Sequence, residues 1–218
     1  RNELRSRVDH SSDSHAMSVT PRQFEQLQAR LSGARRAPQP VFESSLRPAA
    51  ASRQIIIGID PSLRGTGFGV IKMARPHPLA LAHGTIACPP GWEHSRCLLK
   101  IMQTLREISA KYRPTVCAIE GLFYAQNLQT ALTLGEARGA ALTAMAEAGL
   151  DIFEIAPRKV KQAVVGYGAA HKEAVAKMVQ RLLHLSAVPA PDAADALAVA
   201  LAHAQDTSRY SLTAPKKI

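Results

Sequence analysis

The chain has 218 residues, 46% hydrophobic and 20% charged, which suits one globular domain plus a tail. Its 27 Lys and Arg against 17 Asp and Glu give a formal net charge of +10, and an excess of that size points to a polyanionic partner, most simply nucleic acid. No apolar run approaches the ~20 residues of a membrane-spanning helix, and no signal-peptide core is read near the start, so a helical membrane protein is excluded.

Residues 1–54 hold nine basic and five acidic residues, and residues 55–218 hold 18 and 12, so the basic excess is spread over both. Residues 1–54 are rich in Ser, Arg, Gln and Pro and are expected to be mostly disordered. A short helix is predicted over Pro21–Ser32, where Phe24, Leu27 and Leu31 fall at helical spacing after Thr20. An Arg- and Ser-rich transit peptide is the alternative for the first residues, and Glu3, Asp9 and Asp13 count against it. The three cysteines (Cys88, Cys97, Cys117) form no CxxC pair. They read as buried reduced thiols in a reducing, cytoplasmic compartment.

The body begins at Ile55. Ile55-Ile56-Ile57-Gly58-Ile59 reads as a strand covered on both faces. Asp60 stands where it stops, because Pro61 cannot donate to a ladder and Gly65 and Gly67 suit a turn. Thr66–Met73 and Leu79–Ala87 read as two further strands forming a hairpin on the first. Glu93–Tyr112 places Leu98, Ile101, Met102, Leu105 and Ile108 on one helical face, and Arg113-Pro114 ends it. Thr115–Glu120 is a short buried strand that also ends in a carboxylate. Leu128–Gly149 is an Ala-rich helix whose Gly135 and Gly139 predict close packing on another element. Asp151–Ala156 is a fifth strand, and helices are predicted over Pro157–Val165, Ala170–Leu185 and Asp192–Gln205. The expected fold is α/β, a five-stranded mixed sheet flanked by helices over 55–205, with a polar tail over 206–218.

Four acids stand out. Asp60 and Glu120 end central strands at one sheet edge, and Asp192 and Asp195 share a helix face three residues apart. Each has an ordinary reading alone: a turn residue, a solvated strand end, a helix cap. Asp195 lies among small apolar residues, where an unpaired carboxylate is costly, so a partner cation is expected. Oxygen ligands without a His or Cys cluster suit Mg²⁺ or Mn²⁺. Two such ions can activate water and stabilise the leaving oxygen of a phosphodiester. The residues alone therefore read as a basic two-metal nuclease.

Gly58-Ile59-Asp60-Pro61 with Thr66-Gly67-Phe68-Gly69-Val70, Ala118-Ile119-Glu120 with Phe123, Ala137-Arg138-Gly139, Val160 to Gly166, and Asp192-Ala193-Ala194-Asp195-Ala196-Leu197-Ala198 resemble, in order, the bacterial RuvC family. The resemblance runs from about Ile55 to His203. It implies an RNase H-like fold and a homodimer that cuts opposed strands of a four-way (Holliday) DNA junction, leaving 5′-phosphates. It implies that Asp60, Glu120, Asp192 and Asp195 are catalytic and hold Mg²⁺, two ions per site, with Mn²⁺ as a substitute. Phe123 matches an aromatic that stacks on a base, Lys161 and Lys172 match basic residues placed near the scissile phosphate or along the DNA, and Leu128–Gly149 is the candidate face of the implied dimer. Arg158 and Lys159 read as general phosphate contacts. Gln126 departs from the basic residue common at the matching loop position. The family works with the RuvA–RuvB branch-migration machinery, in recombination and repair at the bacterial nucleoid.

Three other readings stay open at this stage. Asp60 to Gly67 also resembles the first phosphate loop of sugar-kinase and actin-like ATPases, but no second glycine-rich loop follows. A junction-binding protein without cleavage and an RNase H-like nuclease acting on RNA are the others.

Overall fold

The computed structural model describes residues 54–121, 127–208 and 216–218. The predicted helix over 21–32 and Phe123 and Gln126 lie outside them. Strands β1 (Ile55–Asp60), β2 (Gly65–Lys72) and β3 (Leu79–Ala87) form an antiparallel meander. Helix α1 (His94–Tyr112), β4 (Val116–Glu120), α2 (Leu128–Glu147) and β5 (Asp151–Ile155) follow, and then α3 (Pro157–Val165), α4 (Lys172–Leu182) and α5 (Pro191–Ser208). The sheet runs β3-β2-β1-β4-β5-β6, with β1, β4 and β5 parallel.

Six strands are present where five were expected. The sixth, β6 (Lys216–Lys217), pairs antiparallel with β5, and Lys217 Nζ lies 2.7 Å from Asp151 Oδ1. Two lysines carry no strand pattern of their own; the pairing comes from the ladder groups β5 offers at its free edge.

Strand β1 is buried on both faces, as its isoleucine run requires. Ile57 and Ile59 join Cys117 and Ile119 of β4 in a core with α1 and α2. Ile56 and Ala118 join the opposite core, with α3, α4 and α5. Consecutive residues thus feed opposite layers, the period-2 rule of a strand. Cys88, Cys97 and Cys117 are all buried.

Helix ends follow local chemistry. Arg113 closes α1 in the left-handed region, at φ 48°, and its N–H reaches Ser109 O. Helix α4 is shorter at both ends than Ala170–Leu185. His171 is extended at its start, and at its end His184 turns left-handed while Leu185 N–H donates to Gln180 O at 2.9 Å. That six-to-one bond terminates helices.

Close packing falls elsewhere than expected. A Cβ at Gly135 or Gly139 would meet nothing within 4 Å. The tight contacts lie where α5 crosses β1 and β2. A Cβ on Gly58 would overlap Ala196 O, one on Gly67 would overlap Asp192 O, and one on Gly69 would sit 2.7 Å from Leu197 Cδ2. Helix α5 answers with its own small residues, Ala193, Ala196 and Ala200, all buried.

Gly67→Ala should therefore overpack the β2–α5 contact and cost about 1–3 kcal/mol, lowering the melting temperature by ~2–4 °C for each kcal/mol. Gly91→Ala, with nothing within 4 Å of its Cβ position, is the control and should stay within about 0.5 kcal/mol. Equal melting temperatures for the two variants would disprove the close approach.

Candidate active site

The three parallel strands end at one sheet edge, the place where open α/β sheets present their sites. Ile59 pairs in register with Ile119, so Asp60 and Glu120 follow side by side as the last residues of β1 and β4. Their carboxyl groups share a hydrogen bond. The turn after Asp60 is fixed from within: Thr66 Oγ1 donates to Ser62 O at 2.6 Å and accepts from Ser62 N–H at 3.3 Å. Arg64 Nη1 ties the same turn to Pro89 O at 2.7 Å and Trp92 O at 3.0 Å.

Asp192 and Asp195 arrive from above, in the first turns of α5. The glycine contact that seats Asp192 O on Gly67 also brings Asp192 Oδ2 to 2.9 Å from the position a Gly65 Cβ would take. Asp195 is half-buried, so its charge calls for a cation. Here that cation is Lys172: its Nζ donates to Asp195 Oδ2 at 3.0 Å. Lys172, expected near the scissile phosphate or along the DNA, stands among the acids at the start of α4.

Burial sets the electrostatics. It pushes the Glu120 carboxyl up to about 8, with the neighbouring Asp60 adding to the rise. Burial raises Asp60 too, while its hydrogen bond with Glu120 acts the other way. The bond to Asp195 holds the Lys172 ammonium above the usual lysine range. Two carboxyls that resist ionising together, next to two more acids, form a site that a divalent cation would relieve. Among the described residues no three His, Cys, Asp or Glu side chains stand gathered as a metal would gather them. Asp60 and Glu120 bond to each other, and Asp195 bonds to Lys172. The donor set is carboxylate oxygen throughout, and it fits a hard ion such as Mg²⁺.

Helix α3 begins at the end of β5, on the same edge. Arg158 and Lys159 are exposed in its first turn, and Lys161 is half-buried. Beside Asp195 and Lys172 opens a cavity of about 330 Å³, walled by Ala176, Val188, Pro189 and Pro191. Phe123, on the segment after Glu120, lies outside the described residues.

Two residues near Glu120 carried no role in the sequence reading. Arg138 Nη1 donates to Glu120 O at 2.6 Å, and its Nη2 donates to Glu154 Oε2 at 2.5 Å. The available signal was Glu154, an acid in the middle of a strand flanked by Phe153 and Ile155.

Residues 56–203 match the sequence family described as "Crossover junction endodeoxyribonuclease RuvC". A protein of that name from Bordetella avium is 48% identical over 149 residues, 68% of this chain and 82% of its own. One from Rubrobacter xylanophilus is 43% identical over 154 residues, 70% of this chain and 86% of its own. Among solved structures, Thermus thermophilus RuvC in complex with Holliday junction substrate superposes with a TM-score of 0.70 at 32% identity, covering 76% of this chain and 100% of that one. No helix among the described residues is long and apolar enough to cross a membrane. An acid-lined sheet edge, matched along almost the whole described body at these identities, places the chain in the RuvC family of crossover junction endodeoxyribonucleases.

Proposed function

We propose that this protein resolves four-way DNA junctions by paired, metal-dependent nicks on opposed strands, leaving 5′-phosphates. The observation that carries the reading is the half-buried Asp60–Glu120 pair, close to the acids of α5 at the edge where the parallel strands end. The basic surface supplies the polyanion partner: the chain carries +10 overall.

Asp60, Glu120, Asp192 and Asp195 would hold two Mg²⁺ ions, with Mn²⁺ as a substitute. Bound there, the ions supply an activated water and neutralise charge on the leaving oxygen. The chain's own residues do the rest. The pair at the strand ends fixes two ligands on rigid backbone. Lys172 keeps a positive charge beside Asp195 and offers it to the scissile phosphate. Arg158, Lys159 and Lys161 hold the strand by its phosphates, contacts that position DNA without reading sequence. Phe123 stacks on a base exposed at the crossover, an interaction worth ~1–3 kcal/mol.

Paired cuts need two sites, so the working unit is a homodimer. Support comes from α2. Leu128 and Leu132 are 76% and 54% exposed, and they share a face with Gly135 and Gly139, whose Cβ positions are open. In the cell the protein acts in the bacterial cytoplasm, with a RuvA–RuvB motor delivering the junction. Residues 1–54 add sequence-independent affinity.

The deciding experiment is cleavage of a mobile four-way junction with Mg²⁺ or with EDTA, mapping both strands. Symmetric nicks that need the metal are expected, with linear duplex intact. Binding without nicks would make this a junction-binding protein, and cleavage of RNA instead would leave the site standing with the wrong substrate. Asp195→Asn should slow cleavage by about two orders of magnitude or more and retain junction binding; cleavage at the wild-type rate would remove Asp195 from the site. Leu132→Glu should give a monomer in sedimentation and lose paired cutting, whereas an intact dimer would free α2 from the interface.

Without metal, the folded Glu120 carboxyl titrates near 8 against 4.5 for an ordinary glutamate. The folded state therefore binds the extra proton between those values, and its stabilisation, complete below pH 4.5, is lost as pH rises toward 8. Thermal melts in EDTA should fall across that window. Glu120→Gln should flatten the fall and melt higher at pH 8, by ~2–4 °C per kcal/mol recovered. A variant with the wild-type slope would refute the strained acid pair.

A further inference from the structure

We infer that Arg138 is a positioning residue for Glu120: from helix α2 it fixes the main chain that aims the carboxylate into the site. This rests on the resolvase reading for the role of Glu120, but not for the geometry.

Glu120 is the last residue of β4. A carbonyl at a strand end has no further ladder to join, and one turned inward must find a donor. Arg138 is that donor, 18 residues on in sequence, with its Nη1 at 2.6 Å from Glu120 O. The residue is 7% exposed, so its guanidinium is itself held in place. Glu154 of β5 does the holding, with Oε2 at 2.5 Å from Nη2. The next residue closes the frame. Gly121 N–H donates to Ile155 O at 2.9 Å, and a Cβ on Gly121 would lie 3.2 Å from Glu154 Cγ. Strand β4, strand β5 and helix α2 thus meet at the main chain of one proposed metal ligand.

The arrangement acts through position. The groups that act on the Glu120 carboxyl are burial, Asp60, Asp195 and Lys172. A buried ion pair is also a weak source of stability, since an apolar pair of similar volume often does as well. What an apolar pair cannot supply is a forked donor that grips a carbonyl and a carboxylate at once.

The test is a pair of variants made in the full chain. Arg138→Met/Glu154→Leu removes both charges together and leaves neither stranded. It should melt near the wild-type temperature and bind junction DNA in EDTA as the wild type does. It should cut ~10–100-fold more slowly, with half-saturation at higher Mg²⁺, the loss typical of groups that orient metal ligands. Wild-type rate and Mg²⁺ dependence in this folded variant would overturn the inference. Should it fail to fold, Arg138→Lys decides, because it keeps the charge and loses the fork: slower cutting at unchanged melting temperature supports the role, and unchanged cutting overturns it. Mn²⁺ titration calorimetry on the same proteins reads ligand positioning without any DNA. Weaker Mn²⁺ binding alongside a wild type that cuts nothing would overturn the resolvase reading and keep this one.

Discussion

Helix α5 lies on strands β1 and β2 at a separation that only glycine allows, and the site depends on that contact. Gly58, Gly67 and Gly69 give the sheet a flat place, and the buried alanines of α5 complete it. Sheets with ordinary side chains keep a helix farther away. Here the helix backbone itself touches the strands, so its first turn reaches the acids at the strand ends. Asp192 and Asp195 come near enough to act on the Asp60 carboxyl because two surfaces have given up their side chains, a loss in buried apolar area that the isoleucines and leucines of the two cores offset.

The same closeness produces the electrostatic strain. Acids brought near one another at a half-buried edge cannot all ionise comfortably. Two of them share a hydrogen bond, and a third takes a lysine. Lys172 is thus the internal counter-charge of Asp195. Arg158 and Lys159 stand exposed at the start of α3 on the same edge, and basic groups rimming an acidic centre are an arrangement that attracts polyanions.

Much of this was legible in the sequence. The isoleucine run, the carboxylate before Pro61 and the paired Asp residues of α5 each carry a local signal. Parallel order then follows from helices lying between strands, so Asp60 and Glu120 could be placed at one edge unseen. Long-range contacts were the harder part. Glycines in α2 looked like packing sites and face open space, while those in β1 and β2 looked like turn and strand residues and do the packing. A glycine's meaning lies in what approaches it, and no local pattern reports that. Lys172 was legible as a basic residue near the scissile phosphate or along the DNA, but its bond to Asp195 spans 23 residues and left no local sign. Arg138 stood in the matched Ala137-Arg138-Gly139 without a role and Glu154 was silent, for the same reason, and β6 exists only as the complement of β5.

The three cysteines, each in the apolar core around α1 and β4, have a practical consequence. Burial raises the Cys117 thiol far above the usual range and raises Cys88 as well, which makes both poor nucleophiles. Cys97 is sealed by packing. A cysteine introduced on the surface would therefore stand out kinetically to a maleimide dye, and the native sequence already serves as the quiet background for single-molecule fluorescence.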